Sequence, residues 1–139
     1  MSPEQVKLVK SSFASVLPIA AEAGTLFYQR LFALDPALRP LFRGDMAEQS
    51  RLLIRMIAVA VNGLDRLETL VPALRALGVR HAGYGVVDAH YETVGEALLW
   101  TLERGLGEGF TPETAEAWNA AYAVLAKTMQ SGARDAAAA

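Results

Sequence analysis

Cysteine is absent from the 139 residues, and histidine occurs only twice. The first absence removes disulfides, thiol nucleophiles, iron–sulfur clusters and thiolate zinc sites together, and the second leaves too little imidazole for a metal site built from protein ligands alone. An excess of positive charge is missing too. Thirteen Lys and Arg stand against fifteen Asp and Glu, a net charge of −2, so the basic footprint of a nucleic-acid binder is lacking and no nucleic-acid partner is expected. The longest stretch free of Asp, Glu, Lys and Arg is Ser11 to Ala21, eleven residues, short of the roughly 18 that a membrane span requires. Lys7 and Lys10 ahead of Phe13 to Leu17 faintly imitate a secretion signal. Glu4 in the would-be basic region, and amphipathic patterning that runs through the would-be cleavage site, favour a cytoplasmic protein instead. What is present is a 53% hydrophobic, 20% charged composition, enough for one core in one domain.

Helix start signals recur along the chain. Bare backbone N–H groups at a helix start are satisfied by small polar side chains, and proline fits the first helical position. Ser2-Pro3-Glu4-Gln5, Asp35-Pro36, Asp45-Met46-Ala47-Glu48 and Thr111-Pro112-Glu113 each read as such a start. Between them the apolar residues fall at helical spacing: Tyr91, Val94, Leu98, Leu102 and Leu106 in one helix, Ala115, Trp118, Tyr122, Leu125 and Met129 in the last. Further helices are predicted from about Pro18 to Leu34 and from Asp45 to Asn62. Short helical stretches are expected at Pro36 to Phe42 and around Glu68 to His81. No strand-like alternation competes, so the fold class is all-α, with six to eight helices. Residues 1–132 form the domain and residues 133–139, ending in four alanines, are expected to fray.

The two histidines are nine positions apart. At about 100° per residue they would point to opposite sides of a continuous helix, so they are not a chelating pair. His90 lies beside Asp88 in a helix's first turn and reads as a satisfied structural residue. His81 lies where a helix ends against Gly83 and Gly85, and one imidazole suffices as a metal ligand when a cofactor supplies the others. Tyr28 sits one position off the core-spaced Phe27 and so turns about 100° away from it, carrying a hydroxyl that needs a partner if buried. Gln49 is a neutral amide one turn ahead of the apolar stripe that begins at Leu53. Spacing alone does not bring Tyr28, Gln49 and His81 together.

Their order along the chain resembles a known family. Tyr28 within F-Y-x-x-L-F, the R-P-L-F stretch ending at Phe42, Gln49 opening the next helix, Arg80-His81, His90-Tyr91-Glu92-Thr93-Val94-Gly95 and Ala117-Trp118 with Ala121-Tyr122 are similar to the bacterial single-domain haemoglobins, relatives of the flavohaemoglobin haem domain. The run from His81 to Gly95 is most similar to the neuroglobin-like branch that includes the Hell's Gate globin. The resemblance spans Ser2 to about Gln130. It implies a globin fold around haem b (iron protoporphyrin IX), with His81 as the iron ligand. It further implies Tyr28 and Gln49 as donors on the ligand side, Phe42 packed on the haem, Leu53 over the iron, and Tyr91 in the network around His81.

One departure bears on activity. Flavohaemoglobin-type domains pair the tyrosine at Tyr91 with a glutamate, whose place falls on Ala133 here. A missing carboxylate leaves the imidazole less anionic and weakens peroxidase-like chemistry. Gly105-x-Gly107-x-Gly109 lacks the strand and spacing of a dinucleotide site, so any reductase is expected to be separate. The resemblance therefore implies reversible binding of dioxygen and other diatomic ligands, for transport or storage. The alternative is a nitric oxide dioxygenase that works with a partner reductase.

Overall fold

In a computed structural model, residues 1–138 are described, and among them the chain forms six α-helices and no strand. They are α1 (Pro3–Val16), α2 (Ala20–Leu34), α3 (Met46–Asn62), α4 (Leu67–Gly83), α5 (Asp88–Leu106) and α6 (Pro112–Ala138), joined by short 3₁₀ turns. The start signals act as their chemistry dictates. Ser2 and Gln5 form a reciprocal capping box at α1. Asp35 accepts from Ala37 N–H and Asp45 from Ala47 N–H, each at 3.1 Å, and Thr111 accepts from Thr114 N–H at 3.2 Å.

Three expectations shift. The helix predicted from Pro18 begins at Ala20, because Leu17–Ile19 is a 3₁₀ turn bridging α1 and α2. The stretch around Glu68 to His81 is a full helix of 17 residues that carries Pro72 inside it. Proline there removes one backbone donor, and packing of the whole helix against α6 offsets the loss. The tail expected to fray instead prolongs α6 to Ala138, with Ser131 and Asp135 both bonded to Arg75 of α4; Ala139 lies outside the described residues.

The core has two centres. One joins α1, α3, α5 and α6 around Phe13, Val16, Leu102 and Trp118. Trp118 donates its indole N–H to Ser12 at 2.8 Å, and Ser12 passes its own proton to the Leu8 carbonyl at 2.6 Å, so this buried polar pair is satisfied. The other centre gathers Phe27, Tyr28, Leu31, Leu38 and Ala97, with Phe42, Leu53 and Val94 against them. The buried stripe of α6 includes the predicted Trp118, but its other members are Thr114, Ala117, Ala121, Ala126 and Gly132. Small side chains mark where α6 approaches its neighbours most closely.

Candidate functional site

Tyr28 is 6% exposed, just past the middle of α2. Its ring meets Phe27 and Phe42 edge-on, at centroid distances of 5.0 and 5.3 Å, and stacks on Phe32 at 5.9 Å. Burial pushes the phenol up to about 12, so the hydroxyl keeps its proton and acts as a donor. It donates to the Gln49 backbone carbonyl at 3.4 Å, a long and therefore weak bond.

The approach of α2 to α3 depends on Gly24, four residues before Tyr28. A Cβ on Gly24 would lie 2.6 Å from the Cβ of buried Ser50, the residue after Gln49. Glycine there lets α3 come close enough for the Tyr28 hydroxyl to reach the first turn of that helix. The Gln49 side chain points elsewhere: its amide donates to the Arg43 carbonyl at 2.9 Å, closing the loop ahead of α3. Leu53, one turn on, packs into the Tyr28 cluster together with Phe42. Tyr28, Phe42, Leu53 and the Gln49 backbone are thus brought together, whereas the Gln49 amide faces the loop.

His81 lies in the last turn of α4, half-buried. Its Nδ1 lies 2.9 Å from the Leu77 carbonyl one turn earlier. With a proton on Nδ1 this bond fixes the tautomer and leaves Nε2 with a free lone pair, the arrangement an imidazole needs to ligate a metal. Burial pushes the imidazole below its usual value, the Leu77 bond opposes this, and neighbouring Arg80 lowers it further, so the ring is neutral near pH 7. Beyond it the chain reverses at Gly85, whose φ of +97° favours glycine and whose position touches Leu41, next to Phe42. His90 serves as a cap: its Nδ1 accepts from the Val87 N–H at 3.0 Å.

Tyr91 is half-buried near the start of α5, and its carbonyl accepts from the Tyr122 hydroxyl of α6 at 2.6 Å. Burial, then the charge of Asp88, push the Tyr91 phenol upward. No packing of consequence joins α3 to α4. On α3, Leu52 and Met56 stand exposed at 44% each, and helical spacing puts both on the face that Gln49 occupies. A neutral imidazole with a free Nε2, together with bare apolar side chains on a neighbouring helix, fits a flat, largely apolar macrocycle that brings its own metal.

The globin family model matches residues 25–129, three quarters of the chain, and takes in Tyr28, Gln49, His81 and Tyr91. The chain belongs to the globin family. Globins bind haem, and His81, with its Nδ1 fixed, suits that group. The chain is 36% identical over 130 residues to the flavohemoprotein of Bordetella parapertussis, and 31% identical over 134 residues to that of Vibrio cholerae serotype O1. In both matches 91% of this globin is covered, and the chain spans about a third of the relative's length, 32% and 33%. Neuroglobin-1 of Oncorhynchus mykiss is 29% identical over 146 residues, covering 95% of this chain and 92% of that one. A bacterial globin of Campylobacter jejuni superposes with a TM-score of 0.86 at 23% identity, over 99% of this globin and 100% of the other, which establishes the fold.

Sequence reasoning missed three residues that shape the site. Phe32 was legible, since it lies one turn beyond Tyr28. Gly24 stands out as a glycine inside a regular helix. The Leu77 carbonyl left no side-chain signal.

Proposed function

We propose that this globin binds dioxygen reversibly at a haem b ligated by His81, as an oxygen carrier or store. The observation that carries the reading is the Tyr28 hydroxyl: buried, protonated, and engaged only by a 3.4 Å bond that a better acceptor can displace. Haem, when bound, supplies an iron centre that holds a diatomic gas by one end. Tyr28 would then donate to the gas's outer atom, and a hydrogen bond to an acceptor carrying partial charge contributes roughly 1.5–3 kcal/mol against escape. Phe42 and Leu53 close the surroundings with hydrocarbon and exclude water. His81 keeps one orientation through Leu77.

Behind Leu53 lies a small cavity of about 20 Å³, walled by Phe27, Ile57, Leu98 and Trp118 among others. Thr101, which also borders it, spends its hydroxyl on the Ala97 carbonyl at 2.8 Å. Without polar partners the space disfavours water and suits one small apolar molecule.

The identity to flavohemoproteins favours a second reading, a nitric oxide dioxygenase served by a separate reductase. Ala133, where that type of domain carries a glutamate, argues for the binding role. One spectrum of the purified protein before and after dithionite, then under oxygen, tests the first reading. A Soret band that shifts on reduction and again on oxygenation is expected, and its absence would exclude haem. Mixing the oxygenated protein with nitric oxide and a cellular reductase separates the two readings: one stoichiometric conversion without recycling marks a binder, and sustained turnover marks the enzyme.

A further inference from the structure

The helix that carries His81 is held against α6 by backbone lying on backbone. A Cβ on Gly78 would collide with the Met129 carbonyl oxygen and would lie 2.5 Å from that carbonyl's carbon and 2.8 Å from Met129 Cα. A Cβ on Gly132 would in turn lie 2.5 Å from the Arg75 carbonyl oxygen and 2.7 Å from Arg75 Cα. The contact is reciprocal. Each helix presents a backbone unit, Arg75 or Met129, and three residues on a glycine that meets the partner's unit. Arg75 adds two side-chain ties, donating to Ser131 at 3.0 Å and pairing with Asp135.

Side chains that collide can change rotamer, but a carbonyl and a Cα inside a helix move only with the helix. Any atom added at this crossing therefore displaces α4 as a body. His81 follows Gly78 by three residues, ~4.5 Å along the axis. Because its Nδ1 is tied to Leu77 of the same helix, the ring travels with α4 rather than adjusting independently. Ala133, which holds no carboxylate to engage the imidazole, directly follows Gly132 on α6.

Resting on the haem reading above, we propose that Gly78 and Gly132, with Arg75, are positioning residues that set the height and tilt of the His81 imidazole against the iron. In this globin the end of α6 governs the iron ligand through the path of α4, not through a hydrogen bond to the ring.

The experiment compares wild type with Gly78→Ala and Arg75→Met as haem-loaded proteins. It reads the iron–histidine stretching band of the ferrous form, the rate of haem release to an excess of a haem-scavenging apoprotein, and the C–O stretch of the carbon monoxide complex. The expected result for Gly78→Ala is a shifted iron–histidine band and haem release about tenfold faster, the equivalent of ~1.4 kcal/mol. The C–O stretch, which reports on Tyr28, should stay unchanged. Arg75→Met removes only the ties to Ser131 and Asp135, and should move the same band in the same direction by less. An unchanged band in Gly78→Ala overturns the proposal, even if that variant melts earlier. If Gly78→Ala does not fold, an unchanged band in Arg75→Met overturns it. A wild type without a Soret band would instead defeat the haem reading, and this inference with it.

Discussion

The Tyr28 side and the His81 side of this globin are built differently. At the α2–α3 crossing one glycine, Gly24, meets a side chain, Ser50, and the groups that follow are side chains in turn: stacked aromatics, one long phenol bond, and an amide spent on a loop carbonyl. At the α4–α6 crossing two glycines meet backbone, and a guanidinium with two partners braces the contact. Side chains can be exchanged or rotated singly, whereas a backbone contact changes only by moving a helix. On the proposed reading, ligand preference would thus be open to adjustment on the Tyr28 side, while the His81 side is fixed as one rigid arrangement.

The largest effect should come from His81→Ala. If His81 is the iron ligand, as proposed, the Soret band of the purified protein should vanish while the far-ultraviolet helical signal persists. A retained, unshifted band would transfer the ligand role to another residue and end the comparison at its root. Next is Tyr28→Phe. Loss of a bond contributing roughly 1.5–3 kcal/mol should raise the dioxygen off-rate about tenfold to a hundredfold and speed autoxidation. The fold should hardly notice, because the lost bond to the Gln49 carbonyl is long. Flash photolysis would read the rate, and an unchanged off-rate would remove Tyr28 from its role.

Gly24→Ala tests the crossings themselves. Overpacking of this kind costs typically about 1–3 kcal/mol, and the midpoint of urea unfolding should fall accordingly. The added methyl meets the Cβ and Oγ of Ser50, so the double variant Gly24→Ala/Ser50→Gly should recover part of the loss. Helix propensity does not stand in the way, since glycine leaves one helix as it enters the other. No such partner exists for Gly78, since the atoms it faces are backbone. Failure of Ser50→Gly to recover anything would mean that the two crossings do not differ as described.

Much of this was legible in the sequence, for physical reasons that also explain what was not. Ser2, Asp35, Asp45 and Thr111 marked helix starts because capping acts over two or three residues, and Phe27 with Leu31 marked a buried face because helical period is local. Tyr28, Phe42 and Leu53 were singled out singly and by resemblance, and the fold brings them into one cluster. Gly78 and Gly132, like Gly24, showed only as glycines inside helices, and the reason for each stayed hidden because it is a helix distant in sequence that passes over it. The persistence of α6 beyond Gly132 was hidden for the same reason: residues 133–138 look unheld until Arg75 of α4 reaches Ser131 and Asp135. Pro72, a local helix breaker, lies inside α4 all the same, because packing against α6 overrules it.

The smallest effect belongs to Gln49→Leu, and it is the sharpest probe of the ligand side. If the amide stays on the Arg43 carbonyl, as its 2.9 Å bond has it, it contributes nothing to a ligand, and the dioxygen off-rate should change by less than about threefold, under 1 kcal/mol. The loop ahead of α3 loses a tie instead, so amide hydrogen exchange there should quicken. An off-rate change as large as that of Tyr28→Phe would show that the amide leaves Arg43 when a ligand arrives. The Tyr28 side would then be a switch between two hydrogen-bond partners, and the contrast with the backbone-fixed His81 side would widen from adjustable against rigid to moving against still.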